Sequence, residues 1–136
     1  MSEKRIEEAI INYIFAIGGY AFKAQSGSAM VQKGEGRFYK INFAPRGTPD
    51  IVAAIKGKFC GIEVKKDAKE VARWQRIAEA YEKTGTTAKS NLREVGQYET
   101  AKTITKAGGL FFLVSSLDDL EACLLENGKP RFNNHN

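Results

Sequence analysis

Apolar residues near the start of the chain recur at helical spacing. Ile6, Ile10, Tyr13, Ile14 and Ile17 fall on one stripe, which predicts a helix over residues 3–17. Ser2 supplies an N-cap and Gly18-Gly19 a stop. The period then changes. Residues 20–25 read as a strand, residues 26–36 as a basic, glycine-spaced loop, and residues 37–43 as a second short strand. Pro45-Arg46-Gly47-Thr48-Pro49 is a turn cluster. Two apolar-rich runs, 50–55 and 59–65, flank Lys56-Gly57-Lys58 and predict a tight hairpin. A second helical pattern covers residues 68–83, with Val71, Trp74, Ile77, Ala78 and Tyr81 on one stripe. A polar linker (84–91) leads to a third helix, 95–107, stopped by Gly108-Gly109. Leu110–Val114 is continuously apolar, as in a strand buried on both faces. Ser116 caps a closing helix, 117–126, and the tail Arg131–Asn136 is expected to fray. This succession predicts an α/β (mixed α+β) domain, with a mixed central sheet flanked by helices, over the 136 residues.

Composition changes this picture little, with 43% hydrophobic and 27% charged residues. No apolar run reaches the length of a membrane span, and the charged start MSEKRIEEAI does not read as a signal peptide. An intracellular, cytoplasmic protein without membrane partners is expected. Cys60 and Cys123 form no metal-ligand pattern and are expected as free thiols.

Charge is more informative once located. Residues 31–76 carry eleven Lys/Arg against five acids, a balance of +6, while the rest of the chain carries −1. A localised basic field suits a polyanion, because each neutralised phosphate releases condensed counterions. A solvated surface accounts for the charge equally well when charge is taken alone.

Chemistry narrows the choice. Along residues 59–65 side chains alternate between faces, with Cys60, Ile62 and Val64 on an apolar face and Glu63 and Lys65 on the other, beside Gly61. Asp50 opens the partner strand, so its carboxylate can approach that of Glu63. Two carboxylates and a lysine suit metal-assisted phosphodiester hydrolysis. Hard oxygens hold Mg²⁺ or Mn²⁺, and the lysine orients a nucleophile or stabilises charge on phosphorus. A bare Glu-x-Lys is common by chance, and an ordinary cross-strand ion pair there is worth only ~0.2–1 kcal/mol. What favours chemistry is the conjunction with a Pro-Asp strand start, a glycine hairpin and the basic third of the chain.

Gly47-Thr48-Pro49-Asp50-Ile51, Gly57-Lys58-Phe59 and Gly61-Ile62-Glu63-Val64-Lys65 resemble the core of PD-(D/E)XK nucleases. More narrowly they resemble the virus-type replication-repair (VRR-NUC) family, which is similar to Holliday-junction resolvases. The likeness extends to the opening helix, the Gly19–Lys23 strand, Ser26-Gly27, Gln97 and the closing Phe111–Leu120 stretch. It implies a restriction-endonuclease-like fold, with Asp50, Glu63 and the Val64 carbonyl as metal ligands, Lys65 catalytic and Gln97 ordering the site. It further implies one glutamate from the opening helix. Glu7 is preferred, with Glu3 the alternative in a first turn that frays. Either can equally serve as an ordinary acid at a helix N-terminus. In the family the glutamine follows the Glu-x-Lys strand closely, whereas here a helix around 68–84 is inserted. Gln75 therefore competes with Gln97, which is preferred because a buried strand and closing helix follow it. Stand-alone family members imply phage-type DNA processing.

The only histidine, His135, is in the tail, which disfavours histidine-dependent chemistry, and no phosphate-binding loop implies a nucleotide cofactor. The expected activity is a structure-specific, Mg²⁺- or Mn²⁺-dependent DNA endonuclease. Its expected substrate is branched DNA such as Holliday junctions, and it is expected to work as a homodimer. Ser26, Lys33, Arg37, Lys40, Arg46 and Lys66 are the expected DNA contacts. The dimer expectation rests on surplus apolar area on the inserted helix. The alternatives are a flap or single-strand nuclease, an exonuclease, or a non-catalytic nucleic-acid-binding module.

Overall fold

The computed structural model describes residues 1–25 and 27–126. Helix α1 (Glu3–Ala16) starts where the Ser2 hydroxyl accepts from the Arg5 amide at 3.3 Å, and it buries Ile6, Ile10 and Ile14. Strand β1 (Tyr20–Lys23) pairs antiparallel with β4 (Ile51–Ile55), which pairs antiparallel with β5 (Lys58–Val64). The turn between β4 and β5 uses Lys56 (φ 50°) and Gly57 (φ 78°), both left-handed, as a two-residue hairpin of the mirror-image type requires. Strand β6 (Leu110–Val114) adds parallel to β5, giving the sheet order β1-β4-β5-β6. The sheet is mixed and helices flank it, as the succession of elements predicts.

Period-two alternation sorts the sheet's two faces. Ala21, Ala53, Cys60, Ile62, Phe112 and Val114 pack under α1 and α4 (Leu117–Leu125). Phe111 and Leu113 face the other way, against α2 (Ala68–Thr84) and α3 (Leu92–Lys106), where they meet Val71, Trp74, Ala78, Tyr98 and Ala101. Three of the four helices carry side-chain caps. Asp67 accepts from the Glu70 amide at 2.9 Å and Ser116 from the Asp119 amide at 3.0 Å, while Gly85 closes α2 in the left-handed region.

Three expectations need correction. Residues 26–36 are not simply a loop: Ser28–Gln32 forms β2, which pairs with β3 (Phe38–Asn42) in a separate two-stranded sheet. Polar residues and glycines hide this pairing, because β2 takes its partner from β3 and buries almost nothing of its own. The third helix begins at Leu92, preceded by a 3-10 turn at Lys89–Asn91, rather than at Val95. The stripe on α2 is largely spent within the domain, since Val71, Trp74 and Ala78 are buried against α3 and β6, while Ile77 and Tyr81 remain half-buried. Among the described residues no helix is long and apolar enough to cross a membrane. The tail and His135 lie outside the described residues.

Candidate active site

The β4–β5 register places Asp50 opposite Glu63, one step beyond the Ile51–Ile62 pair. Asp50 Oδ2 accepts from the Val64 amide at 2.8 Å, tying the start of β4 to the end of β5. Gly61 makes this corner possible: a Cβ there would lie 2.7 Å from Pro49 Cγ, so the Pro45–Pro49 turn could not fold down over the sheet. The turn in turn presses on α3. Gly47 (φ 83°) sits where a Cβ would meet the Gly96 carbonyl oxygen at 2.5 Å.

Glu63 is 1% exposed. Its Oε2 accepts from Gln97 Nε2 at 3.3 Å and lies 3.8 Å from Lys65 Nζ, while its buried Oε1 receives no hydrogen bond. Burial, then the negative charge of Asp50 and a carboxyl–carboxylate contact with it, push the Glu63 carboxyl well above the ordinary range. Lys65 and Arg93 pull the other way. A carboxyl in this position holds a proton readily until a cation replaces it. Lys65 is 9% exposed and its Nζ donates to Gln97 Oε1 at 3.4 Å.

Gln97, on α3, is therefore brought to the site. Gln75 lies on α2, half-buried, and has no place in the hydrogen-bond network around Glu63. Sequence reasoning overlooked two further residues. Trp74 Nε1 donates to Gln97 Oε1 at 2.8 Å, so α2 contributes to the site as well as to the core. Nothing in the sequence marks Trp74 beyond its place on an apolar stripe. Arg93 acts on Glu63 and lines the cleft in front of Asp50 and Gln97. Its signal was available, since it precedes Gln97 by one helical turn.

Glu7 is placed differently. It is buried on α1, on the opposite side of the sheet from α3, and its Oε1 pairs with Lys23 Nζ at 3.0 Å. The ion pair raises the Lys23 pKa, chiefly through the contact with Glu7. Among the described residues no three His, Cys, Asp or Glu side chains form a metal-binding group, and Glu7 approaches Asp50 through Lys23, which feels the charge of both. Glu3 is exposed in the first turn. A cation would take Asp50 and Glu63, with a main-chain oxygen such as that of Val64 as a further donor. The uncompensated Glu63 Oε1 and the hard oxygen donors fit Mg²⁺ or Mn²⁺.

A cleft of about 410 Å³ opens in front of Asp50 and Gln97, lined by Arg46, Gly47 and Arg93. A second, of about 500 Å³, shares Ala44, Arg46, Gly47 and Thr48 with it and reaches Lys40 on β3. Together they form a path from Asp50 past Arg46 to the hairpin. Lys33 and Arg37 frame the hairpin turn, where the Lys33 amide donates to the Arg37 carbonyl at 3.0 Å, and both are exposed. Lys66 is exposed between β5 and α2. Ser26 lies outside the described residues. Among protein-family models, curated proteins and solved structures, no match to the chain is found.

Proposed function

We propose that the chain is a divalent-metal-dependent DNA endonuclease with a PD-(D/E)XK type of active site, acting on branched DNA. One observation carries this reading. Asp50, Glu63, Lys65 and Gln97 form one connected cluster whose Asp50 and Gln97 open onto a cleft flanked by Arg46 and Arg93, with a Glu63 oxygen buried behind them without a donor. What sets Glu63 apart is that it is buried facing a second carboxylate, Asp50, an arrangement that a bound cation would relieve.

Asp50, Glu63 and the Val64 carbonyl would hold Mg²⁺ or Mn²⁺, which supplies charge neutralisation at a phosphate oxygen and a more acidic water. The chain's own residues do the rest. Arg46 and Arg93 receive the phosphate backbone at the cleft and set its register. Lys65, held by the Gln97 carbonyl oxygen, keeps its ammonium beside Glu63, where it can orient a water or offset charge building on phosphorus. Gln97 donates to Glu63 and fixes the direction of its carboxylate. Asp50 is pinned by the Val64 amide, so the two carboxylates keep one separation through the reaction.

A four-way junction calls for two symmetric cuts, and a two-fold homodimer supplies them. The test is incubation with Mg²⁺ or Mn²⁺ and a panel of duplex, flap, splayed and four-way DNA, with Asp50→Asn, Glu63→Gln and EDTA as controls. Paired cuts in four-way DNA that vanish in all three controls are expected. Cleavage that persists in EDTA refutes the metal mechanism. Nicking of flaps alone reassigns the substrate, and DNA binding without any cleavage turns the reading into a binding module. Sedimentation equilibrium at micromolar concentration tests the dimer; a monomer that still cuts junctions in pairs refutes it.

A further inference from the structure

We propose that Trp74 is a positioning residue: its indole N–H locks the Gln97 side-chain amide in the one orientation that serves Glu63 and Lys65. The inference rests on the nuclease reading for its catalytic consequence, while its geometric content stands apart from it.

Gln97 has two faces and only one way to satisfy its surroundings. Trp74 Nε1 is a donor only, and so is the Lys65 ammonium; they lie 2.8 Å and 3.4 Å from the same amide oxygen. The Glu63 carboxylate is an acceptor when ionised and lies 3.3 Å from the amide nitrogen. Flipping the amide would set its NH₂ against two donors and its oxygen against a carboxylate. Of the two contacts that choose the orientation, the Trp74 bond is the shorter, and it comes from a side chain 1% exposed. Lys65, at the longer distance, cannot hold the amide as firmly.

The indole is itself fixed. Its ring stacks on Phe111 at 5.9 Å with 21° between planes and meets Tyr98 edge-on at 6.0 Å. Phe111 lies on β6 beside Gly61 of β5, so the indole is referenced to the same sheet that carries Glu63. The start of α3 is clamped to α2 by Arg73, which reaches Glu94 Oε2 at 3.0 Å and Asn91 Oδ1 at 3.4 Å. Helix α2 thus acts as a jig for the glutamine. Gln97 is one hydrogen bond removed from Glu63, the kind of partner that carries ~10–100-fold in metal affinity or activity, and Trp74 acts through it.

The experiment compares wild type, Trp74→Phe and Val71→Ala. Trp74→Phe keeps an aromatic ring against Phe111 and removes the N–H. Val71→Ala loosens the same stripe of α2 without touching Gln97. The readouts are the ¹⁵N–¹H resonances of the Gln97 side-chain amide in metal-free protein, Mn²⁺ binding by calorimetry, and kcat and KM on cleaved DNA. Trp74→Phe is expected to shift the Gln97 amide resonances and speed their exchange, to weaken Mn²⁺ binding ~10–100-fold, and to lower kcat with KM unchanged. Val71→Ala is expected to lower Tm while leaving those readouts in place. An unmoved Gln97 amide in Trp74→Phe overturns the proposal, as do equal losses in the two variants. If wild type binds no Mn²⁺ and cuts no DNA while Trp74→Phe still frees the amide, the nuclease reading falls and the positioning of Gln97 by Trp74 stands.

Discussion

Replacing Glu63 by glutamine should make the metal-free protein more stable while destroying its activity. The wild-type carboxylate is 1% exposed, faces Asp50, and leaves Oε1 without a donor. A buried polar group left unsatisfied costs about 1–3 kcal/mol. Glutamine is nearly isosteric, still accepts from Gln97 and brings an NH₂ that can donate to Asp50. The gain at pH 7 should therefore be about 1–3 kcal/mol, or roughly 3–15 °C in Tm for a chain of this size. The pH dependence has a definite sign. The folded pKa is raised above the ordinary 4.5, so below that value both folded and unfolded states carry the proton and the variant gains nothing from the charge. As pH climbs from there towards the folded pKa, the unfolded chain gives up its proton first. Wild-type stability then falls by up to ~1.4 kcal/mol per pH unit, and above the folded pKa the penalty is constant. Thermal melts of both proteins in EDTA between pH 4 and 8 read the gap directly. Mg²⁺ should then close it, by stabilising wild type and not the variant. A Glu63→Gln protein less stable than wild type at pH 7, or a gap that ignores pH, would falsify this account of the buried carboxylate.

Position should outweigh charge among the lysines: Lys65→Ala should cut kcat ~100-fold or more. Lys56→Ala and Lys58→Ala, exposed at the hairpin turn, should change it little, and equal losses in all three would mean bulk charge is at work. If Arg46 tracks phosphates along the joined clefts, Arg46→Ala should lower the slope of log K against log salt by roughly one unit, and an unchanged slope would move the DNA path elsewhere. Burial pushes the Cys60 thiol up to about 11. Iodoacetamide at pH 8 should therefore label it on the order of 100-fold more slowly than in urea-unfolded chain, read by peptide mass mapping, and comparable rates would contradict its place under α1.

Much of the fold was legible because its signals are periodic. The alternation over 59–65 sorts Cys60, Ile62 and Val64 from Glu63 and Lys65, and the structure keeps that sorting because a slip of one residue would turn both charges into the apolar layer under α1, away from Gln97 and Asp50. The helices announce themselves by stripe and cap, though the N-terminal three residues of α3 were missed for want of a capping side chain. Strand β2 was illegible for a different reason: pairing with a neighbour, and not burial, makes it a strand. At the site, Asp50, Glu63 and Lys65 could be placed together from register alone. Gln97 came from the family resemblance. The partners of Glu7 and Gln97 could not be read at all, because Lys23 reaches Glu7 from β1 to α1 and Trp74 reaches Gln97 from α2 to α3, through contacts no local pattern encodes.

The two-stranded sheet of β2 and β3 finds its main contact within itself, and every residue of β3 is exposed. A lone two-stranded ribbon is marginal in water. Two scales of stability are therefore expected: a cooperative unit built on the four-stranded sheet, and an arm that would open and reclose without disturbing it. Amide hydrogens of residues 28–42 would exchange orders of magnitude faster than those of β5. The arm also carries Lys33, Arg37 and Lys40, so docking on DNA would order it. Part of the electrostatic gain would then offset conformational entropy before it appeared as affinity. Grip on DNA would weaken with temperature well below the melting point of the core, and activity would fail before the fold does.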